Sequence, residues 1–79
     1  MVTIVFLGKL ADLAGAPTIG VSAPIDWAGL KAVLPPALAE VVDDPKNRVA
    51  LNGALIADKA GLQAGAGDEI ALLPPVSGG

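Results

Sequence analysis

The segment IDWAGLKAVL, residues 25–34, carries the main helical pattern of this 79-residue chain. Its large apolar residues recur at helical spacing: Trp27, Leu30, Val33 and Leu34. Asp26 is a residue type that favours the capping position at a helix start. Pro35 disfavours helical geometry in the residue before it, whereas Pro36 can begin a second short helix that runs to Val42. The sequence therefore predicts one main helix, separated by the prolines from a shorter one.

Two strand patterns precede the helix. Residues 2–7, VTIVFL, are rich in β-branched and apolar side chains, which is typical of a strand in the interior of a sheet. Residues 18–22 alternate as a strand does, although Gly20 weakens the pattern and favours an edge position or a bulge. A short helical turn over residues 9–14 ends at Gly15, a common residue type just beyond a helix. The two strands are predicted to form a hairpin.

Strand patterns also follow the helix. Residues 48–51 lead into Asn52-Gly53, a strong signal for a tight hairpin turn, and residues 54–56 are predicted to return alongside them. Residues 61–68 have the composition of a loop, and residues 69–73 form the last predicted strand. The order of elements matches an α+β domain of the β-grasp type, the ubiquitin-like arrangement in which a mixed sheet wraps around one main helix. Periodicity alone also fits other small α+β folds.

The composition excludes most enzyme chemistry. The chain has no cysteine and no histidine, which removes disulfides, thiol nucleophiles, imidazole bases and the usual transition-metal ligands. The net charge is -3, and the basic residues are too scattered to form a stripe for nucleic acid: Lys9, Lys31, Lys46, Arg48 and Lys59. Neither a membrane-spanning stretch nor a signal segment is evident. We therefore expect a soluble, cytoplasmic single domain with no nucleic-acid or membrane partner.

The last six residues, PPVSGG over positions 74–79, are predicted to leave the domain as a flexible tail. The domain is placed at residues 1–75 and the tail at residues 76–79. Prolines restrict the backbone at the base of this run, whereas Gly78 and Gly79 lack a Cβ and fit a narrow slot. The carboxylate of Gly79 is inert until activated, but its adenylate would be an acyl donor, and sulfur attack would leave a thiocarboxylate. An ordinary frayed end has the same composition.

Three runs of the sequence resemble one known family. They are GDEIALLPPVSGG at residues 67–79, GKLADLAG at residues 8–15 and VALNG at residues 49–53. Together they resemble the MoaD family, the small sulfur-carrier subunit of molybdopterin synthase, over nearly the whole chain. The chain departs from the family pattern at Leu72 and Leu73, where bulky aromatics are frequent, and near Lys9, where an arginine is frequent. The partner surface is therefore expected to be less aromatic.

The resemblance implies a carrier mechanism. A ubiquitin-activating-like adenylyltransferase, using ATP and magnesium, would adenylate Gly79, and a sulfur donor carrying a persulfide would convert it to a thiocarboxylate. The carrier would then dock on the large subunit of molybdopterin synthase, with Gly78 in a narrow slot, and give its sulfur to cyclic pyranopterin monophosphate. The family forms a heterotetramer of two carriers and two large subunits. The chain itself is expected to bind no cofactor or metal and to leave acid-base catalysis to its partner.

The resemblance also indicates which residues contact a partner. The predicted set adjoins and includes the tail: Leu72, Leu73, Pro74, Pro75, Val76 and Ser77. The leucines have a second interpretation, because alternate residues of a strand are usually core. Lys9, Lys46 and Arg48 either assist a charged partner surface or lie on a solvated face. Trp27 is predicted to be a packing residue rather than a recognition residue.

Other interpretations of the sequence compete with this hypothesis. The neighbouring acids Asp43-Asp44 and Asp68-Glu69 are expected to be solvated turn residues rather than acid-base pairs. The nearest alternative function is another ubiquitin-like sulfur carrier, for thiamine thiazole or for cysteine biosynthesis, although Pro74-Pro75 favours the molybdopterin branch. A second alternative is a ubiquitin-like modifier joined to proteins through Gly79. A third is an interaction module whose tail has no function.

Overall fold

The computed structural model describes residues 1–75, and residues 76–79 lie outside the described residues. The elements follow one another in the order β1 (Val2–Phe6), α1 (Lys9–Ala14), β2 (Thr18–Val21), β3 (Ile25–Asp26), α2 (Trp27–Val33), α3 (Pro36–Asp43), β4 (Arg48–Leu51), β5 (Ala54–Leu55), a 3-10 turn (Lys59–Gly61), β6 (Gln63–Ala64) and β7 (Glu69–Leu73).

The main sheet has the strand order β2-β1-β7-β4-β5, so the last strand lies at its centre. β7 runs parallel to β1, with Ile4 opposite Ile70, and antiparallel to β4, with Val49 opposite Leu72. These four side chains belong to the buried core, which the helices cover on one face of the sheet. The mixed sheet confirms the predicted β-grasp fold, with β1 in the interior and β2 at an edge.

The helical region is divided as the prolines predict. The Asp26 carboxylate accepts a hydrogen bond from the Gly29 N–H at 2.8 Å and so caps α2, because the first N–H groups of a helix have no partner within it. Helix α2 ends before Leu34, and α3 begins at Pro36. The predicted main helix is α2, with seven residues, and the predicted shorter helix is α3, with eight, so the two helices are of similar length. Within residues 1–75, none of the helices is long and apolar enough to cross a bilayer.

A second, two-stranded sheet differs from the sequence prediction. β3 pairs with β6, with Ile25 opposite Ala64 and Asp26 opposite Gln63. Ile25 and the helix cap Asp26 thus also form a short strand, and the loop predicted over residues 61–68 contains its partner strand. Two residues are too few to show the alternation of a strand, and only the pairing with a distant segment stabilises them.

The β4–β5 turn is tied to the beginning of β7. Asn52 and Gly53 both have positive φ, 50° and 85°, as a tight hairpin turn with an Asn-Gly sequence requires. The Asn52 side chain accepts a hydrogen bond from the Glu69 N–H at 2.9 Å and donates one to the Asp68 carboxylate at 3.1 Å. The Gly65 N–H and the Asn52 amide together hold the pKa of Asp68 below its ordinary value. The hairpin and β7 therefore share one hydrogen-bond network.

Trp27 joins the two helices to the 3-10 turn. It is 6% exposed, as a packing residue should be, and its indole N–H donates to the Asp43 carboxylate at 3.2 Å. The Lys31 and Lys59 ammonium groups lie 5.8 and 5.6 Å from the ring centroid, within the range of cation-π attraction. Lys31 also forms an ion pair with Asp43 at 3.3 Å. Lys59 donates to the carbonyl oxygens of Val42 and Asp44 at the end of α3.

Replacing Asp43 with asparagine is expected to make the free energy of unfolding less dependent on pH in the acidic range. The Trp27 hydrogen bond, and after it the Lys31 hydrogen bond and charge, hold the pKa of Asp43 below its ordinary value of 3.8. A pKa depressed in the folded state means that the carboxylate stabilises the fold above pH 3.8 and loses this effect as pH falls through the folded pKa.

Urea unfolding followed by Trp27 fluorescence measures this effect. Asp43→Asn should unfold at lower urea than wild type at neutral pH, and the difference should shrink well below pH 3.8. Glu40→Gln, which removes an exposed charge from the same helix, is the control and should behave like wild type. A difference between Asp43→Asn and wild type that is the same at both pH values would contradict the charge argument.

Candidate functional site

The chain leaves the main sheet from the end of its central strand. Leu73, the last residue of β7, lies opposite Arg48 of β4, and the Leu7 N–H donates to the Leu72 carbonyl at 3.1 Å on the other side. β7 is thus hydrogen-bonded on both edges almost to its last residue. Pro74 and Pro75 follow directly, and their rings fix φ near -65°. The position from which residues 76–79 depart is therefore set by the sheet.

Pro74 packs against Gly8, the residue between β1 and α1. A Cβ placed on Gly8 would lie 3.1 Å from the Pro74 Cγ, tighter than ordinary contact. Gly8 also has φ 56° and ψ -134°, a backbone conformation that only glycine adopts readily. The absence of a side chain at this position lets the proline approach the backbone. The predicted elements leave Gly8 between a strand and a short helical turn, and the sequence does not predict this contact, because only the parallel pairing of β1 with β7 brings Gly8 and Pro74 close.

Replacing Gly8 with alanine is expected to displace Pro74 and slow any reaction that uses the tail. The matched control is Gly15→Ala, since Gly15 also has positive φ, 77°, but has open space around its Cβ position. Both variants should lose about 1 kcal/mol or more from the strained backbone. Only Gly8→Ala should also slow the sulfur loading that the sequence resemblance predicts for the tail, measured as its rate at a temperature where both variants are folded. Equal rates for the two variants would show that the Gly8–Pro74 contact does not matter.

The two leucines before the prolines lie on opposite faces of the sheet. Leu72 is 1% exposed and belongs to the core, so its side chain is not presented to a partner. The predicted partner contact at Leu72 is corrected on that ground, because a strand alternates its side chains and the core takes this one. Leu73, Pro74 and Pro75 are half-buried and remain available. The predicted contacts Val76 and Ser77, and the predicted reacting residues Gly78 and Gly79, lie outside the described residues.

Beyond the pair formed by Leu73 and Arg48, the outer face of the sheet is apolar. The strand register places one row of small and aliphatic residues across it: Val5, Ala71, Ala50 and Leu55. Leu55 at the end of this row is 61% exposed. An apolar face next to the exit of the chain is suited to contact with another protein. No aromatic residue lies in this row.

A groove opens beside Pro75 on the helical side of the exit. It encloses about 750 Å³ and is lined by Lys9, Ala37, Glu40, Val41, Asp44, Lys46, Asn47 and Pro75. Asn47 is buried there, and its side-chain amide donates to the Val41 carbonyl. This carbonyl lies in the last turn of α3, where carbonyls have no partner within the helix itself. The groove therefore combines a rigid wall with charged side chains at its rim.

The neighbouring carboxylates do not form acid-base pairs. Asp43 is engaged by Trp27 and Lys31, and Asp68 accepts hydrogen bonds from Gly65 and Asn52. Both interactions stabilise the ionised form and tie separate segments together. One member of each pair, Asp43 or Asp68, thus has a structural role, and the site offered by residues 1–75 is the exit of the chain with its surrounding surface.

A β-grasp sheet whose central strand ends in an anchored exit defines a ubiquitin-like protein. The chain belongs to the ThiS family, a family of ubiquitin-like sulfur carriers, whose family model matches residues 4–79. This confirms the resemblance to sulfur carriers that the sequence predicts. A comparison with curated proteins finds no match.

Solved structures with the same fold include small archaeal modifier proteins and a chain of a molybdopterin-converting factor. The small archaeal modifier protein 1 of Haloferax volcanii is 32% identical, with a TM-score of 0.71, and the match covers 99% of this chain and 98% of that chain. The same modifier from Methanosarcina acetivorans is 25% identical, with a TM-score of 0.75, covering 99% and 95%. A chain in the complex of subunits 1 and 2 of Helicobacter pylori molybdopterin-converting factor is 31% identical, with a TM-score of 0.68, covering 99% and 97%.

Proposed function

We propose that this chain is the sulfur-carrier subunit of a molybdopterin synthase. The observation that carries the proposal is the exit at Leu73–Pro75, where the central strand and the Gly8–Pro74 contact fix the origin of a segment ending in Gly78-Gly79. The similarity to the Helicobacter pylori molybdopterin-converting factor complex, together with Pro74-Pro75, favours the molybdopterin branch. Cyclic pyranopterin monophosphate is the acceptor of the sulfur in this proposal.

The chemistry takes place at the carboxylate of Gly79. A carboxylate is a poor electrophile, so it first attacks the α-phosphorus of ATP, releasing pyrophosphate and forming an acyl adenylate. Persulfide sulfur then displaces AMP, and cleavage of the sulfur–sulfur bond by a thiol leaves the thiocarboxylate on Gly79. ATP and magnesium belong to the adenylyltransferase, and the persulfide to a separate sulfur donor.

The carrier supplies the reacting atom and its partner supplies the catalysis. With no histidine and no cysteine, the chain lacks the common groups for proton transfer near neutral pH. General acids and bases for sulfur transfer are therefore assigned to the large synthase subunit. The carrier docks on that subunit through Leu73, Pro74 and Pro75, with Val76 and Ser77 following, and two carriers serve two large subunits in a heterotetramer.

A protein modifier is the second candidate function, because the modifier protein of Haloferax volcanii is as similar to this chain as the synthase chain is. The activation step is shared by both functions. The two functions differ in the nucleophile, since a lysine amine attacking the adenylate of Gly79 would release AMP and form an isopeptide bond. The presence of isopeptide conjugates in cell extract would favour this second function.

Intact mass spectrometry tests the proposed chemistry. The chain is incubated with ATP, magnesium, the activating enzyme and a sulfur source, and its mass is expected to rise by the replacement of one oxygen with one sulfur. A variant lacking Gly79 should show no change. An unchanged wild-type mass, with an activating system shown to be competent on another carrier, would contradict the proposal.

Restoration of molybdoenzyme activity tests the synthase role. The chain is expressed in cells that lack the small subunit of molybdopterin synthase, together with its own large subunit, and activity is expected to return. The variant lacking Gly79 is the control and should not restore it. Sulfur loading without restored activity would retain the carrier function and exclude the synthase role.

A further inference from the structure

The basic residues of the chain form two groups with different surroundings. Lys31 and Lys59 are engaged within the fold, at the Trp27 ring, the Asp43 carboxylate and the end of α3. Burial lowers the pKa of Lys59, in keeping with a structural position. Lys9, Lys46 and Arg48 are exposed, and their side chains make no ion pair or hydrogen bond within residues 1–75. These three charges are available to a partner.

All three available cations adjoin the exit of the chain. Arg48 lies opposite Leu73 in the sheet, and Lys9 follows Gly8, which packs against Pro74. Lys9 and Lys46 line the groove that Pro75 borders. They come from the start of β4, the start of α1 and the loop after α3, so the fold and not the sequence brings them to one place. We call Lys9, Lys46 and Arg48 the exit cluster.

We infer that the exit cluster binds an acidic surface of the activating enzyme, the first protein to receive the tail. Two carboxylates, Glu40 and Asp44, share the groove with Lys9 and Lys46, and Arg48 opposite Leu73 adds a third cation beside the exit. The exit cluster therefore gathers three of the five basic residues where the tail departs, although the chain as a whole carries a net charge of -3. An acidic partner attracts the exit cluster first, which orients the tail toward its pocket before contact.

This inference rests on the proposed function, in which the tail is the reacting segment. Charges at the rim of an interface act mainly on the rate of association and on its salt dependence. They contribute little to the chemical step after docking. The exit cluster is therefore expected to affect encounter and not the maximal rate of sulfur loading.

The test compares association rates of charge variants with the activating enzyme. The triple variant Lys9→Gln, Lys46→Gln and Arg48→Gln should associate about tenfold more slowly than wild type at low salt. At about 1 M salt, where the Debye length is near 3 Å, the two should associate equally. Stopped-flow fluorescence gives the association rate constant, and mass spectrometry gives the maximal loading rate, which should be unchanged. Equal association at low salt would overturn the inference.

Two control variants separate position from net charge. Gln63→Glu lowers the net charge by one, as Lys46→Gln does, but lies on β6, near the beginning rather than the end of β7. It should leave the association rate constant close to that of wild type. Glu40→Lys adds positive charge to the groove itself and should increase that rate constant. An equal effect of Gln63→Glu and Lys46→Gln would mean that only the total charge matters, and would overturn the inference.

Failure of the proposed function would be visible separately, as a wild-type chain that gains no sulfur. In that case the exit cluster is tested with hexaglutamate, titrated into the isotopically labelled chain and followed by the backbone amide signals. The inference predicts the largest shifts at Lys9, Lys46 and Arg48. Shifts of equal size at Lys31 and Lys59, or the absence of any shift, would overturn it.

Discussion

Replacing Gly78 with valine is expected to abolish sulfur transfer by a carrier that remains folded. In the proposed mechanism the Gly78-Gly79 end enters a slot on the partner that is too narrow for a side chain, and a β-branched residue is the widest obstacle at its base. A displacement of about 1 Å at the reacting carbon reduces the rate on the order of a hundredfold. The core that the structure describes runs from Val2 to Leu72, and the variant is expected to keep the stability of wild type.

Two measurements separate fit from folding in this variant. Mass spectrometry should show little or no thiocarboxylate on Gly78→Val, and a urea titration followed by Trp27 fluorescence should coincide with that of wild type. Gly78→Ala should load sulfur at an intermediate rate, and Ser77→Ala, one residue earlier, should load it normally. Normal loading and transfer by Gly78→Val would rule out a narrow slot while leaving Gly79 as the reacting residue.

Much of the fold could be predicted because its signals are local. Asp26 as a helix cap, the stop at Pro35 and the Asn52-Gly53 turn each act through neighbouring backbone, so the sequence around them is sufficient. The pairing of Ile25 with Ala64 could not be predicted, because it depends on segments far apart in the chain. The same reason explains why the Gly8–Pro74 contact required the structure.

Composition and resemblance predicted the reacting end of the chain, but they did not predict which residues surround its exit. Gly78 and Gly79 stand out in the sequence because two residues without side chains follow two prolines. By contrast, Lys9, Lys46 and Arg48 are spread over half of the chain and become neighbours of the exit only through the pairing of β7 with β1 and β4 and the position of α3. The reacting end is thus encoded locally, and the surface that presents it is a product of topology.

Leu72→Ala is expected to cost about 2 to 5 kcal/mol of stability, whereas Leu73→Ala should cost on the order of 1 kcal/mol. Leu72 is packed in the core opposite Val49, so its truncation leaves a cavity. Leu73 is half-buried on the outer face, where truncation removes contact area but opens no cavity. A domain of this size has a total stability of roughly 4 to 12 kcal/mol, so Leu72→Ala is close to unfolding.

The effects of these two substitutions on partner binding should rank in the opposite order to their effects on stability. Leu73→Ala is expected to weaken binding to the large synthase subunit, because Leu73 adjoins both the apolar outer face and the prolines. Leu72→Ala should bind almost as wild type under conditions where it is folded, since its side chain faces the core. Urea unfolding and isothermal titration calorimetry measure the two effects separately. If Leu73→Ala bound normally, the docking surface would have to lie elsewhere, because Leu73 is the half-buried leucine of β7 that lies on the outer face at the exit.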